Sequence, residues 1–102
     1  MLNRTRRYEA IKKLRALQPV LERYRVTRLR IFGSVARDEA TRHSDIDLIG
    51  DFSTKPDLLE FIALKQDLAD RLGVNVDLAM PEALRPELKS RILDEAINAV
   101  AA

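Results

Sequence analysis

The chain has 102 residues, 33% of them charged and 46% hydrophobic, with a net charge of +2 and no cysteine. This length suffices for one hydrophobic core, and we expect a single domain over residues 1–102 that works alone, self-associates or acts with a partner. The absence of cysteine excludes disulfides and thiolate metal sites and is compatible with a cytoplasmic protein. No apolar run approaches the roughly 18 residues of a membrane span, so we expect no membrane role.

Charge is divided unevenly along the chain. Residues 1–30 hold ten Lys and Arg against two acids, and residues 31–102 hold eight against fourteen. The basic segment could contact nucleic acid, an acidic protein or a polyphosphate, or it could be a solvated helix face. Because this segment has only two aromatic residues, Tyr8 and Tyr24, to serve as base-stacking platforms beside its ten cations, we do not expect nucleic acid as the partner.

The first half of the chain alternates helical and strand patterns. Apolar residues at three- and four-residue steps predict an amphipathic helix over 5–17, on Ala10, Ile11, Leu14 and Leu17. Pro19 ends or restarts this helix, and a short helical turn follows through Leu21 and Tyr24. The segment VTRLRIF, residues 26–32, is typical of a strand that Gly33 ends. SVARDEA then predicts a short helix or turn, and TRHS a loop.

The second half predicts a strand over 45–52, a helix over 53–73, a strand over 74–80 and a helix over 85–100. The long helix has an apolar stripe on Leu58, Phe61, Leu64, Leu68 and Leu72, and the last helix has one on Leu88, Ile92, Ala96 and Val100. The order predicts an α/β (α+β) fold in which helices cover a small mixed sheet. Exposed faces of the first and last helices could support a homodimer through Leu17, Leu21, Ile97 and Val100.

Two carboxylates one residue apart lie in the second predicted strand. Asp45 and Asp47 would share one face of that strand while Ile46 and Leu48 pack into the core. At about 6 to 7 Å the two charges repel by roughly 2 to 3 kcal/mol at an effective dielectric near 20, so a cation should compensate them. Arginine or Mg²⁺ could do so. Asp77 has the same apolar-acid-apolar setting in VNVDLAM, and three acids would converge if the two strands are neighbours.

A glycine and a serine follow the first predicted strand. Gly33 allows a tight turn and close approach to a ligand, and the N–H groups after it, with the Ser34 hydroxyl, suit a phosphate. Each of these signals is weak alone. Together they give Gly-Ser, ten residues, Asp-x-Asp and a third acid about thirty residues on.

This arrangement resembles the signature of the DNA polymerase beta superfamily of nucleotidyltransferases. FGSVARDEATRHSDIDLIGDF is similar to the FGSxARGxAxxxSDIDLxVxF segment of the minimal nucleotidyltransferases, a family that includes antitoxins paired with HEPN toxins. The resemblance extends from LRIFGS through VDLA to LRPELKSRILDEAI, which is nearly the whole chain.

The resemblance implies a palm-type mixed sheet and a defined site. Asp45 and Asp47 would ligate two Mg²⁺ ions, and Asp77 would complete the site of the ion that activates the nucleophile. Gly33 and Ser34 would hold the triphosphate of ATP or another nucleotide. A hydroxyl of a partner protein, such as a tyrosine of a HEPN toxin, would receive the nucleoside monophosphate and release pyrophosphate. The rival interpretation is a non-catalytic module of the same fold that neutralises its partner by contact alone.

Residues near the signature have weaker assignments. Arg37 could contact phosphate or equally pair with a strand-end acid such as Asp51, which otherwise is expected to be solvated. His43 could contact phosphate or base or be an exposed loop residue. Ser44 is expected to orient the entry to the strand, with its hydroxyl near Asp45.

The chain also departs from the family pattern at two positions. Asp38 replaces a usual glycine, which could disfavour a left-handed backbone and adds negative charge near the triphosphate. Gly50 replaces an aliphatic residue, which should weaken the end of the strand without moving the acids.

Overall fold

The computed structural model describes residues 6–41 and 44–101. Its helices are α1 (Arg6–Arg15), α2 (Gln18–Arg23), α3 (Gly33–Ala36), α4 (Leu58–Leu72) and α5 (Pro86–Glu95). Its strands are β1 (Val26–Phe32), β2 (Ile46–Phe52), β3 (Val76–Ala79) and β4 (Ile97–Ala101), with a 3₁₀ turn at Pro81–Ala83.

The four strands form one mixed sheet in the order β3-β2-β1-β4. β1 is antiparallel to both β2 and β4, whereas β2 and β3 are parallel. Parallel neighbours need a crossover connection, and α4 supplies it between β2 and β3. The predicted α+β fold with a mixed sheet and covering helices is therefore confirmed.

The main core lies between one face of the sheet and the helices. Alternate residues of the two central strands point into it, among them Leu29, Ile31 and Leu48, all fully buried. Leu64 and Leu68 of α4 close the other side. Each such side chain contributes about 1.5–3 kcal/mol by leaving water, which fixes the face that β2 turns away from the core.

The long helix α4 begins and ends where local chemistry dictates. The Asp57 carboxylate accepts from the Glu60 N–H at 2.8 Å, and Glu60 Oε1 accepts from the Asp57 N–H at 3.1 Å, a reciprocal capping box. Gly73 ends the helix in the left-handed conformation, at φ 73°. Leu58 is 72% exposed, so it does not belong to the buried stripe predicted for this helix.

The prediction of a helix over 85–100 is wrong in its second half. α5 ends at Glu95, and residues 97–101 form the edge strand β4 against β1. Ala96 has extended dihedrals, and Ala99 is buried in the core cluster. The short apolar run INAVA is compatible with both the helical and the strand periodicity. It forms a strand because it can pair with the edge of β1.

The four residues proposed for a homodimer face contact the core instead. Leu21 is buried, and Leu17, Ile97 and Val100 are partly buried against the core cluster. These residues therefore do not supply an exposed dimer face.

Several cations of the basic segment are used inside the molecule. Arg7 donates to the Ala36 carbonyl at 3.2 Å, and Arg15 donates to the Ala99 carbonyl at 3.0 Å. These bonds tie α1 to the turn after β1 and to the edge strand β4. In the described part of the chain, no helix has both the length and the apolar character needed to cross a membrane.

Candidate active site

Strand pairing brings two of the predicted acids side by side. Asp47 of β2 pairs with Asp77 of β3 in the parallel register. Neighbouring strands lie about 4.8 Å apart, and paired residues point to the same face of a sheet. Asp45 precedes β2 by one residue and is exposed, as is Asp77. The prediction that the two strands are neighbours is confirmed.

The three acids interact electrostatically at Asp47. Burial raises the pKa of Asp47, the negative charges of Asp77 and Asp45 raise it further, and the positive charge of Arg37 opposes them weakly. The net direction is upward because desolvation and like charges outweigh the cation. This end of β2 therefore carries negative charge that the protein's own cations compensate only in part.

The carboxylates of Asp45, Asp47 and Asp77 are oxygen ligands of the kind that a hard divalent cation prefers, but they do not surround one ion. Among residues 6–41 and 44–101, no group of three or more His, Asp or Glu side chains is placed to hold one metal ion. Mg²⁺ in proteins usually takes one or two carboxylates and completes its shell with water and substrate phosphate. Asp47 with either neighbour fits that pattern, and a cation there would relieve the repulsion that raises the pKa of Asp47.

The turn after β1 lies directly against the Asp47 carboxylate. β1 pairs with β2 so that Phe32 faces Asp47, and Gly33 follows at φ 72°, a conformation that favours glycine. A Cβ added to Gly33 would overlap Oδ2 of Asp47. A residue with a Cβ would be strained at this φ and would push the Asp47 carboxylate aside, so glycine is favoured here. Gly33 and Ser34 begin the short helix α3 beside Asp47.

Arg37 is held by two carboxylates other than the one we anticipated. Its Nε donates to Glu39 at 2.8 Å, and Nη1 donates to Glu95 at 3.1 Å. The hydrogen bond with Glu39, followed by the charge of Glu95, raises the pKa of the Arg37 guanidinium. Pairing of Arg37 with Asp51 is therefore wrong. Asp51 is not merely solvated, because its carboxylate accepts from Arg28 Nε at 2.7 Å and from Arg30 Nη2 at 3.4 Å.

Sequence reasoning missed Glu95, whose Oε1 accepts from the backbone N–H of Gly33 at 3.2 Å. The contact joins residues 62 positions apart. The sequence places Glu95 inside the helix predicted over 85–100 and carries no signal of this contact, which forms because α5 ends at Glu95 and β4 pairs with β1.

Open clefts flank the acids on the side away from Gly33. One of about 390 Å³ is lined by Asp45, Lys65, Gln66, Ala69, Asn75, Val76 and Asp77. A second of about 530 Å³ is lined by Asp45, Gln66, Ala69, Asp70, Gly73, Val74 and Asn75. Asp45 lines both clefts and Asp77 lines the first, whereas Asp47 lines neither, and β2 separates the turn after β1 from the β3 residues of the clefts.

Both departures from the family pattern have a structural account. Asp38 has φ 63°, so its position does demand the left-handed conformation that glycine adopts freely. Gly50 is buried, and the Phe52 ring lies over it, at 3.2 Å from where a Cβ would be. The ring fills the space that an aliphatic side chain would need.

Ser44, the residue before Asp45, is hydrogen-bonded to Thr41. The Ser44 hydroxyl accepts from the Thr41 N–H at 3.0 Å, and the Ser44 N–H donates to the Thr41 carbonyl at 3.1 Å. These bonds fix Ser44 just before β2, in keeping with its expected part in orienting the entry to the strand. His43 lies outside the described residues.

A mixed four-stranded sheet with acids on two parallel strands beside a Gly-Ser turn defines the nucleotidyltransferase class. A solved candidate minimal nucleotidyltransferase matches this fold with a TM-score of 0.71 and 40% identity, over 85% of this chain and 93% of that one. The nucleotidyltransferase domain family model matches residues 9–98, and the chain belongs to this family of transferases.

Relatives in archaea carry a more specific name. The protein adenylyltransferase MntA of Thermococcus cleftensis is 40% identical over 76 residues, which cover 74% of this chain and 77% of that protein. A candidate protein adenylyltransferase of Methanocaldococcus jannaschii is 40% identical over 84 residues, 82% of this chain and 90% of its own length.

Two toxin-antitoxin complexes share the fold at lower identity. One, solved with AMP-PNP, has a TM-score of 0.73 and 22% identity over 90% of this chain and 73% of the matched chain. The other contains a tri-AMPylated HEPN toxin of Shewanella oneidensis with its MNT antitoxin, with a TM-score of 0.68 and 18% identity, over 91% of this chain and 73% of that one. At these identities the likeness supports the fold alone.

Proposed function

We propose that the chain is a single catalytic domain that transfers AMP from ATP to a hydroxyl of a HEPN-type toxin and acts as its antitoxin. The observation that carries the proposal is the register of Asp47 with Asp77, with Gly33 packed on the Asp47 carboxylate. In this proposal the Gly33-Ser34 turn lies on the β1 side of Asp47, and a cleft lined by Asp45 and Asp77 lies on the β3 side. The nucleotide would bind at the turn and the acceptor would enter by the cleft, so that the attacking and leaving oxygens would lie in line at the α-phosphate.

The residues divide into two sets. Asp45 and Asp47 would hold two Mg²⁺ ions, and Asp77 would complete the site on the acceptor side. Bound there, the ions would favour deprotonation of the acceptor hydroxyl and neutralise charge on the leaving pyrophosphate. Gly33, Ser34 and Arg37 would hold the triphosphate.

The reaction is a substitution at the α-phosphorus of ATP. The acceptor oxygen forms a bond to that phosphorus and loses its proton to solvent water, while the bond from phosphorus to the bridging oxygen of the β-phosphate breaks. Pyrophosphate leaves with that oxygen. Asp77, which lines the cleft and is exposed, would face the acceptor hydroxyl. Burial and the charges of Asp77 and Asp45 raise the pKa of Asp47, and bound cations would offset the part due to these charges.

A protein acceptor is supported by the surface of α4. Leu58, Leu59 and Ile62 are 72%, 77% and 51% exposed, and they form one patch because residues three and four apart are neighbours on a helix. The same side of α4 continues to Lys65 and Gln66, which line the cleft of about 390 Å³ together with Asp45 and Asp77. Contiguous exposed apolar side chains are typical of protein-binding surfaces, so a partner that covers this patch would lie next to the acids.

ATP and a HEPN acceptor are chosen because of the relatives. Those at 40% identity are named for protein adenylylation, and fold neighbours are complexes with AMP-PNP or with an AMPylated HEPN toxin. These properties belong to those proteins and support the same chemistry here.

The proposal is tested with labelled ATP, Mg²⁺ and a HEPN protein as the acceptor, sought first in the reading frame next to the one that encodes this chain. We expect wild type to label the partner and the double variant Asp45→Asn, Asp47→Asn to label none. Asp94→Asn, the same change at an exposed position of α5 outside the acid group, is the matched control and should label at the wild-type rate. If the wild type never transfers label yet still neutralises the partner, the chain is the non-catalytic module instead.

A further inference from the structure

Glu95 links the end of α5 to the turn beside the acids. One oxygen, Oε1, accepts from the Gly33 N–H at 3.2 Å and from Arg37 Nη1 at 3.1 Å. The Glu95 side chain is only 24% exposed. Hydrogen bonds to an ionised carboxylate are roughly twice as strong as neutral ones, so this contact is an effective restraint.

The two donors lie at opposite ends of α3. Gly33 is the first residue of that four-residue helix, and Arg37 is its C-cap. A single carboxylate therefore spans the whole turn. On its other side, Gly33 packs on the carboxylate of Asp47, which leaves no room for a Cβ. The turn is thus held between Glu95 and Asp47.

The sheet fixes the position of Glu95 itself. Ile97, two residues later, pairs with Ile31 of β1, and Ile31 is two residues before Gly33. The backbone on both sides of the contact is therefore anchored in the same pair of strands.

We propose that Glu95 is a positioning residue that sets the phosphate-binding turn against Asp47, an inference that rests on the proposed nucleotide site. Arg37 has five N–H hydrogens, of which Glu39 and Glu95 use Nε and one at Nη1, so hydrogens remain for phosphate. Glu95 acts through Gly33 and Arg37 and does not itself contact the nucleotide.

Three variants separate this role from general stability. Glu95→Ala removes the acceptor, Glu95→Gln keeps an acceptor oxygen without the charge, and Asp94→Ala changes the exposed neighbour on the same helix. Binding of Mg²⁺ with AMP-PNP is measured by calorimetry, and thermal unfolding is followed in parallel. We expect Glu95→Ala to weaken binding about tenfold, Glu95→Gln to recover most of that loss, and Asp94→Ala to bind as wild type.

Amide hydrogen exchange of the turn tests the same inference without any nucleotide. Glu95→Ala should speed exchange at Gly33 and Ser34, whereas Asp94→Ala should leave these amides unchanged. Unaltered exchange at Gly33 in Glu95→Ala overturns the proposal. Tighter nucleotide binding by Glu95→Ala also overturns it, since the carboxylate would then compete with phosphate.

The two hypotheses fail differently. If wild type and Asp94→Ala bind no Mg²⁺ and AMP-PNP, the proposed function is wrong, and faster exchange at Gly33 in Glu95→Ala still establishes that Glu95 holds the turn. If wild type binds and Glu95→Ala binds equally well, the site is correct and Glu95 has no part in it.

Discussion

Replacing Asp47 with asparagine should stabilise the folded protein at neutral pH. Asp47→Asn keeps the shape of the side chain and removes a half-buried charge that lies beside Asp77 and near Asp45. Burial and these two charges raise the pKa of Asp47 in the folded state. The fold therefore tolerates this carboxylate at a cost in stability.

The size of the effect follows from the geometry. Two charges about 6 Å apart repel by roughly 3 kcal/mol at an effective dielectric of 20 and by about 0.7 kcal/mol in bulk water. Asp77 is exposed and Asp47 is only partly buried, so solvent screening places the value near the lower limit. We expect Asp47→Asn to raise the free energy of unfolding by about 1 kcal/mol at pH 7.

The gain must depend on pH. Because the pKa of Asp47 is higher in the folded than in the unfolded state, the folded protein binds more protons between the two values, and wild type loses stability as pH rises through them. Asparagine does not titrate, so the advantage of the variant should disappear below the ordinary Asp pKa of about 4. Urea unfolding of both proteins at pH 7 and at pH 3.5 measures this. A variant that is less stable at pH 7, or a difference that pH leaves unchanged, would refute the reasoning.

Three further changes test the turn, its neighbour and the acceptor side. Gly33→Ala places a Cβ against the Asp47 carboxylate at positive φ. The free energy of unfolding in urea should therefore fall by at least about 1 kcal/mol, and label transfer should fail. Wild-type values in both assays would contradict the packing of Gly33 on Asp47. Asp38→Gly relieves the strain of a left-handed backbone and removes a negative charge near the proposed triphosphate site. Calorimetry should therefore show tighter binding of Mg²⁺ with AMP-PNP. Weaker binding would contradict this account. The double change Leu59→Glu, Ile62→Glu should raise the KM for the protein acceptor at least tenfold while nucleotide binding stays constant. Steady-state labelling measures both quantities. An unchanged KM for the acceptor would exclude the α4 patch as the docking surface.

The strands that carry the acids were predictable because their patterns are local. The alternation of Asp45 and Asp47 with aliphatic residues fixes a strand with one acidic face, and the apolar stripe of α4 predicts a crossover that makes the next strand parallel. The parallel direction of β2 and β3 follows from that crossover, whereas the register of Asp47 with Asp77 depends on how the two strands pair and is not contained in either segment alone. The left-handed position of Asp38 was also foreseen, from the glycine that related sequences carry there.

What sequence could not supply depends on contacts between distant residues. INAVA becomes a strand because β1 offers it an unpaired edge, a fact absent from the segment itself. The ion pairs of Asp51 and Glu95 likewise depend on how β1 and α5 come to lie beside their partners. Leu58 fits the helical stripe by spacing, yet it lies in the first turn of α4, beyond the edge of the core, and is 72% exposed.

The most direct test of the central claim is paramagnetic line broadening by Mn²⁺ with AMP-PNP in the amide spectrum of the protein. The ion should broaden Gly33, Asp45, Asp47 and Asp77 together and more strongly than Val26 and Phe52 at the opposite end of the β1-β2 pair, and this effect should be lost in the variant Asp45→Asn, Asp47→Asn. Broadening that spares Asp77, or that persists in the double variant, would contradict a shared cation site on these strands.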